Sequence, residues 1–341
     1  MKFGIIGLPS SGKTTAFEAL SQSTTDGGQK TEDRIATIRV PDDRVDTLSG
    51  MYVPQKTIYA QIEYFLPGYR GDSSQDANIW TPVRDCDALL HVVRNHAAFG
   101  FESKAPYDDF IHMDQELILA DLVVVEKRLE RLALDHRRGK KMNPEEHALL
   151  TTCRQNLENE IPLRRIPELA FAPLLRGFAF LSAKPMLVLF NNEDDDEQQP
   201  EFQDLNASEN CMVIRGKLEQ ELSQMSPGDA AEFLAEFNIA ESALDRIIKR
   251  SYELLGLISF FTVGEDEVRA WTIKKETQAV DAAEAIHSDI KRGFIRAEVL
   301  AYNDLMDVGS YQAAKKKGTV RLEGKTYNVQ DGDLINFRFN V

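Results

Sequence analysis

Apolar residues follow two rhythms along this chain. Mainly apolar runs at 1–6, 88–94 and 185–190 have the pattern of strands buried on both faces of a parallel sheet. The run at 61–66 alternates, as a strand with one solvated face does, and 35–40 and 211–214 read as further strands. Pro41-Asp42-Asp43-Arg44 is a turn signal ahead of a short helix at 45–51. From Met113 the period lengthens. Ile118, Leu122, Val125, Leu129 and Leu132 recur at alternating steps of four and three, a helical seam. Asn143-Pro144-Glu145-Glu146 then supplies a cap, an N1 proline and a capping-box glutamate, and Leu150, Cys153, Leu157 and Ile161 give the helix it starts an apolar face. The two helices are expected to form an antiparallel hairpin.

The C-terminal third changes character. Residues 226–254 read as helical, 258–263 and 268–273 as strands, and Ala279, Ala283, Ile286 and Ile290 as one helical face stopped at Gly293. Strands follow at 294–300, 320–322 and 334–341. The last alternates Ile335, Phe337, Phe339 and Val341 behind the turn Asp331-Gly332-Asp333. Several strands around one helix predict a small α+β domain of ubiquitin-like size. Strands interleaved with helices in the remainder predict an α/β fold with a doubly wound, mostly parallel sheet.

Candidate chemistry begins at the first strand. Residues 1–6 run directly into Gly7-Leu8-Pro9-Ser10-Ser11-Gly12-Lys13-Thr14-Thr15, a full match to the P-loop motif G-x-x-x-x-G-K-[ST] in its strand-then-helix setting. Backbone N–H groups of such a loop converge on phosphates at the positive end of the following helix. Gly7 and Gly12 permit the close approach, Lys13 reaches the β- and γ-phosphates, and Thr14 offers its hydroxyl to Mg²⁺. Residues 22–30 are polar and glycine-containing, at the place of a switch segment. Thr31 either completes the Mg²⁺ shell or is a solvated loop threonine.

The end of the strand at 61–66 stands out for what it lacks. P-loop hydrolases usually place there an Asp that holds Mg²⁺ through water and a Gly whose N–H senses the γ-phosphate. Here the run is Phe65-Leu66-Pro67-Gly68-Tyr69. Gly68 is a candidate γ-phosphate sensor, but Leu66 cannot organise a metal, and Tyr69 occupies the place of a water-orienting Gln. Asp72 reads as a surface turn carboxylate rather than a substitute. Hydrolysis is therefore expected to be slow or lost, and no catalytic residue is assigned beyond the phosphate charge of Lys13. After the strand at 185–190, Asn191-Asn192-Glu193-Asp194 has the Asn-x-x-Asp arrangement that reads a guanine edge, and Arg215-Gly216-Lys217 lies where the last base-contacting loop would be. His91 reads as a sheet residue rather than a base.

Composition narrows the setting. The chain has 341 residues, 43% of them hydrophobic, and a formal net charge of −15. This excludes a generally basic nucleic-acid binder, and no sequence-specific DNA contact is expected. The exception is local: Arg137, Arg138, Lys140 and Lys141 cluster at the hairpin tip, either to meet RNA phosphates or simply to be solvated. Lys291, Arg292, Arg296 and Lys315-Lys316-Lys317 form a second basic set with the same two readings. No apolar run approaches the roughly 20 residues of a membrane span. Cys86, Cys153 and Cys211 lack metal or disulfide spacing, and the N-terminus starts inside a strand, so a reducing cytoplasm is expected.

Over nearly its whole length the chain resembles the YchF/Obg-like family of P-loop ATPases. The resemblance is carried by residues 7–15, Val40-Pro41-Asp42-Asp43-Arg44, His91-Val92-Val93-Arg94, 116–126 with Leu-Ala-Asp-Leu at 119–122, Val268-Arg269-Ala270-Trp271-Thr272-Ile273, Gly293-Phe294-Ile295-Arg296-Ala297 and the C-terminus from Arg321 to Val341. It implies a nucleotide domain at 1–110 and 178–255, a helical arm inserted at 111–177, and a TGS-like β-grasp domain at 256–341. It further implies ATP or GTP with Mg²⁺, a cytoplasmic location, and a ribosome or other RNA assembly as partner of the arm tip and the C-terminal domain. Phosphate contacts would fall on Ser10, Ser11, Gly12, Lys13, Thr14 and Thr15, and base-reading positions on Asn191, Asn192 and Asp194. The family's Asp-x-x-Gly is replaced by Leu66-Pro67-Gly68, its Asn-x-x-Glu by a motif ending in Asp194, and Lys30 and Thr31 compete for its switch threonine. Three functions are thus open: a nucleotide-dependent binding protein with weak hydrolysis, a competent NTPase activated by its partner, or a scaffold with a vestigial pocket.

Overall fold

The structure, a computed structural model, describes residues 1–22, 32–68, 80–97, 104–202, 205, 208–236 and 242–340. They divide into two compact units, Met1–Thr37 with Glu63–Leu244, and Ile38–Ile62 with Asp245–Val341. Thr31, Lys30, Tyr69 and Asp72 lie outside the described residues.

The first unit is built on a six-stranded sheet. Its strands are β1 (Lys2–Ile6), β2 (Arg34–Arg39), β4 (Gln61–Leu66), β5 (Ala88–Asn95), β6 (Met186–Asn192) and β7 (Asn210–Ile214), in the order β2-β4-β1-β5-β6-β7. β1 pairs in parallel with β4 and β5, and β6 with β5 and β7. The mainly apolar runs occupy the centre: every residue of β5 and β6 is buried. Helices α1 (Lys13–Ser21), α3 (Thr81–Arg84), α7 (Gly216–Gln224) and α8 (Pro227–Glu236) belong to the same unit. The helical stretch expected from 226 is therefore broken, with α8 separate from α9 (Ala243–Leu254), and α7 precedes it unannounced by the apolar pattern.

The expected hairpin is α4 (Pro106–Arg137) and α5 (Pro144–Glu158). Ile118, Val125 and Leu132 interlock with Leu150, Cys153 and Leu157 in one buried cluster, with Leu122 and Leu129 at its margin. Asn143 caps α5 through Oδ1, which accepts from Glu145 N at 3.0 Å and Glu146 N at 3.4 Å. α4 starts before the seam becomes visible, because Pro106 can open a first turn that Asp108 and Asp109 complement electrostatically. Past α5, the short helix α6 (Pro167–Ala170) lies between two 3-10 turns. The buried Arg164 guanidinium bridges Asp114 of α4 at 2.7 and 3.0 Å and Glu209 at 2.9 Å. A second buried carboxylate, Asp121, accepts from Arg84, Leu181 N and Ser182 N at 2.7–3.0 Å, and burial pushes its carboxyl pKa up.

The second unit carries a mixed six-stranded sheet formed by β3 (Lys56–Ile58), β8 (Leu257–Val263), β9 (Glu267–Lys274), β10 (Phe294–Ala301), β11 (Arg321–Glu323) and β12 (Asp333–Phe339), in the order β11-β10-β12-β8-β9-β3. Ala279, Ala282 and Ala283 of α10 (Ala279–Ile286) pack on its Phe260, Phe294 and Phe337 side, as a TGS-like β-grasp arrangement requires. The expected single helix through Ile290 is broken. His287 adopts an extended backbone, and its Nδ1 accepts from Asp289 N to cap a separate α11 (Ser288–Arg292). Helices α12 (Tyr302–Val308) and α13 (Tyr311–Lys317) fill the β10–β11 connection.

Residues 38–62 depart from the expected 1–110 division. β3 adds to the second sheet, parallel to β9, with Thr57 opposite Val268. α2 (Asp43–Tyr52) brings Arg44 over the Phe261 ring and within 2.7 Å of Asp331 Oδ2.

Candidate nucleotide-binding site

Chain direction selects the site. From β1 the sheet grows outward on both sides, so the carboxyl end of β1 is a topological switch point, where a crevice opens in doubly wound folds. The loop that follows contains three positive-φ residues: Gly7 at 150°, Ser10 at 61° and Gly12 at 95°. A Cβ on Gly7 would stand 2.3 Å from Val92 O, and one on Gly12 would stand 2.1 Å from Asn191 Nδ2. Both positions therefore demand glycine on steric and conformational grounds.

The loop opens onto a cleft of about 540 Å³. Ser10, Ser11, Gly12, Lys13, Thr14 and Thr15 line it, as do Asn191, Asn192 and Asp194, so the residues expected on phosphate and on base share one cavity. Among the described residues, Ser11 Oγ is buried without a hydrogen-bond partner. The Lys13 ammonium folds back onto Gly7 O at 2.6 Å and Leu8 O at 2.8 Å. Its burial lowers its pKa to about 8. A desolvated cation, an orphaned hydroxyl and a glycine cradle at a helix N-terminus together fit a polyphosphate. Thr14 is exposed in the cleft, as a hydroxyl ligand to a phosphate-bound Mg²⁺ must be. Leu66 is 4% exposed and offers the ion nothing.

The base-reading positions divide their work. Asn191 Nδ2 donates to Ser11 O at 3.0 Å, while its Oδ1 accepts from Gly216 N at 2.9 Å, strapping the phosphate loop to the start of α7. Asn192 commits its whole amide: Nδ2 donates to Asp196 O and Gln198 O, and Oδ1 accepts from Asn95. It holds the acidic turn rather than presenting a free edge to a ligand. Asp194, with its side chain 49% exposed, stands 3.9 Å from Lys217 Nζ. His96, Ala97, Glu193 and Gln220 also line the cleft. Glu193 lies within the Asn-x-x-Asp stretch, whereas His96, Ala97 and Gln220 carry no motif and only folding brings them there. Gly68 N donates to Asp33 Oδ1 at 2.9 Å.

His91 is buried against the Phe110 ring at 5.4 Å, and desolvation holds its pKa down to about 3. A neutral imidazole at that depth is no general base. Its Nδ1 lacks a partner among the described residues, so it is buried as expected but less satisfied. The basic hairpin tip is exposed throughout. No helix of the described residues is long and apolar enough to cross a membrane.

Residues 257–340 match the family model YchF-GTPase_C, described as a protein of unknown function (DUF933). The ribosome-binding ATPase YchF of Bacillus subtilis (strain 168) is 37% identical over 361 aligned positions, covering 99% of each chain. That of Escherichia coli O157:H7 is 34% identical, over 100% of this chain and 99% of its own. Among solved structures, the Schizosaccharomyces pombe YchF GTPase superposes with a TM-score of 0.86 at 28% identity, covering 99% of this chain and 97% of the other. With full-length identity, fold and loop geometry in agreement, this chain is a member of the YchF family.

Proposed function

We propose that this protein binds a purine nucleoside triphosphate, ATP or GTP, with Mg²⁺ in the cleft beside the P-loop, and couples nucleotide state to association with the ribosome in the cytoplasm. The observation that carries the reading is the glycine cradle: Gly7 and Gly12 hold conformations that exclude any side chain, against Val92 O and Asn191. The backbone N–H groups of 10–15 would take the phosphates, Lys13 their charge and Thr14 the ion. When bound, Mg²⁺ neutralises phosphate charge and orients the β- and γ-oxygens. Asn191 acts as a positioning residue, and Asp194 would select the base. Turnover is slow, because buried Leu66 replaces the acid that would hold the metal's water. Arg137, Arg138, Lys140 and Lys141 at the arm tip and the C-terminal unit would meet ribosomal RNA.

Calorimetric titration with ATP and GTP, with and without Mg²⁺, tests the reading. Binding that Lys13→Ala abolishes is expected, and no heat with either nucleotide refutes it. Loss of a GTP preference in Asp194→Ala assigns the base to that carboxylate. A second reading has its own support: the bacterial relatives are named ATPases and the yeast structure a GTPase. On that reading the ribosome completes a competent hydrolase, and added ribosomes would raise a low basal rate. An unchanged rate would leave the slow binding protein standing.

A further inference from the structure

The second unit holds a cavity of its own, of about 730 Å³, a size common among small-molecule sites. It opens where two central strands part. β8 and β12 run parallel with Leu334 opposite Phe261, but β8 ends two residues later at Val263 while β12 continues to Phe339, so 337–339 project past their neighbour. Ile286 and Ile290 pack with Phe337 on the α10 side of that overhang. Asn336 points to the other face, where it stands opposite Glu298. Tyr311 of α13 lies near both Glu298 and Tyr52 of α2, and the two tyrosines line the cavity together with Met51.

Two features specify an occupant. Among the described residues, none that lines this cavity is Asp, Glu, Lys, Arg or His, in a chain of which 28% is charged. A charged ligand would give up its water there and gain no counter-charge. The tyrosine hydroxyls are the second feature: those of Tyr52 and Tyr311 are buried with no hydrogen-bond partner among the described residues. Burial pushes both pKa values up, and the Glu298 carboxylate adds to the rise at Tyr311, so both stay protonated donors. Thr262, which also lines the cavity, already accepts from Trp271 Nε1 at 2.9 Å. Unmet donors beside apolar walls call for an acceptor oxygen on an apolar body. We propose that this cavity binds an uncharged small molecule, its aliphatic or aromatic body against Ile286, Ile290 and Phe337 and a carbonyl or amide oxygen accepting from the Tyr52 and Tyr311 hydroxyls.

Methyl NMR of the whole chain, titrated with phenylpropanamide, phenylpropanoate and phenylpropylammonium, tests it, because the three share one apolar body and differ in charge. The amide should shift the Met51, Ile286 and Ile290 methyls saturably, with a dissociation constant on the order of millimolar for so small a molecule. The two ions should bind at least about tenfold more weakly. Tyr52→Phe keeps the ring and removes the donor, and should weaken the amide by roughly two- to tenfold. Thermal unfolding gives a readout independent of affinity. Since the hydroxyl has no partner to lose, Tyr52→Phe should leave Tm unchanged or raise it, and so should Tyr311→Phe, which serves if the first variant misfolds. A lowered Tm in both would show the hydroxyls already satisfied and overturn the proposal. So would methyls that the amide leaves unmoved, ions that bind as tightly as the amide, or an amide affinity unchanged in both phenylalanine variants.

Discussion

Gly12 and Gly139 sit in loops of the same unit with similar backbones, φ +95° and +82°, yet their surroundings are opposite. A Cβ on Gly12 would collide with Asn191, and one on Gly139 would meet nothing within 4 Å. The phosphate loop is pre-organised by buried straps, whereas the arm tip is a turn with four exposed cations around it, one of them, Lys140, paired with Asp135 at 2.9 Å. Pre-organisation suits a small ligand whose atoms must be met individually. An open, charged turn suits a large polyanion approached through its field.

That contrast can be broken most forcefully at the arm's root. Arg164→Ala leaves Asp114 and Glu209 buried without their cation and should cost about 3–5 kcal/mol in urea unfolding; a loss below about 1 kcal/mol would mean the root is not organised by charge. Gly12→Ala should cost roughly 1–3 kcal/mol from its backbone alone and abolish nucleotide binding. Gly139→Ala should leave binding intact, and equal behaviour of the two variants would erase the distinction.

Lys13 sharpens the comparison through pH. Burial lowers its folded pKa from the ordinary 10.5 to about 8, so between those values the unfolded chain holds more protons, and stability should rise with pH across that window. Triphosphate affinity should run the other way. It should be flat below pH 8 and fall by up to about tenfold per pH unit above it, with proton uptake seen by calorimetry in buffers of different ionisation heat. The smallest expected effect on stability belongs to the tip. Joint replacement of Arg137, Arg138, Lys140 and Lys141 by alanine should leave unfolding within about 0.5 kcal/mol, while ribosome co-sedimentation weakens and its salt dependence flattens. Unchanged co-sedimentation removes the tip from the proposed contact.

Local rules made much of this legible. The strand-to-loop passage at Gly7, the α4 and α5 seam, the Asn143 cap and the final strand all follow from periodicity and turn chemistry over a few residues. What stayed hidden depends on distant partners. β3 is three residues long and exists only through pairing with β9. Asn192 looks like a base contact until Asn95, Asp196 and Gln198 are seen to take its amide. Asp33 carries no motif, and only the adjacency of β2 and β4 brings it to Gly68 N. The break at His287 was hidden differently, because the apolar spacing of Ile286 and Ile290 continues across it while the backbone does not.

The position of β3 has an outcome for biosynthesis. Gln55, at its threshold, meets Asp266 across a sequence gap of 211 residues, so the piece that borders β9 is translated long before β9 itself. A fragment cut to 257–340 would lack it and present a bare strand margin, open to pairing with other chains. During translation the early segment must wait, unpaired, until β9 has emerged.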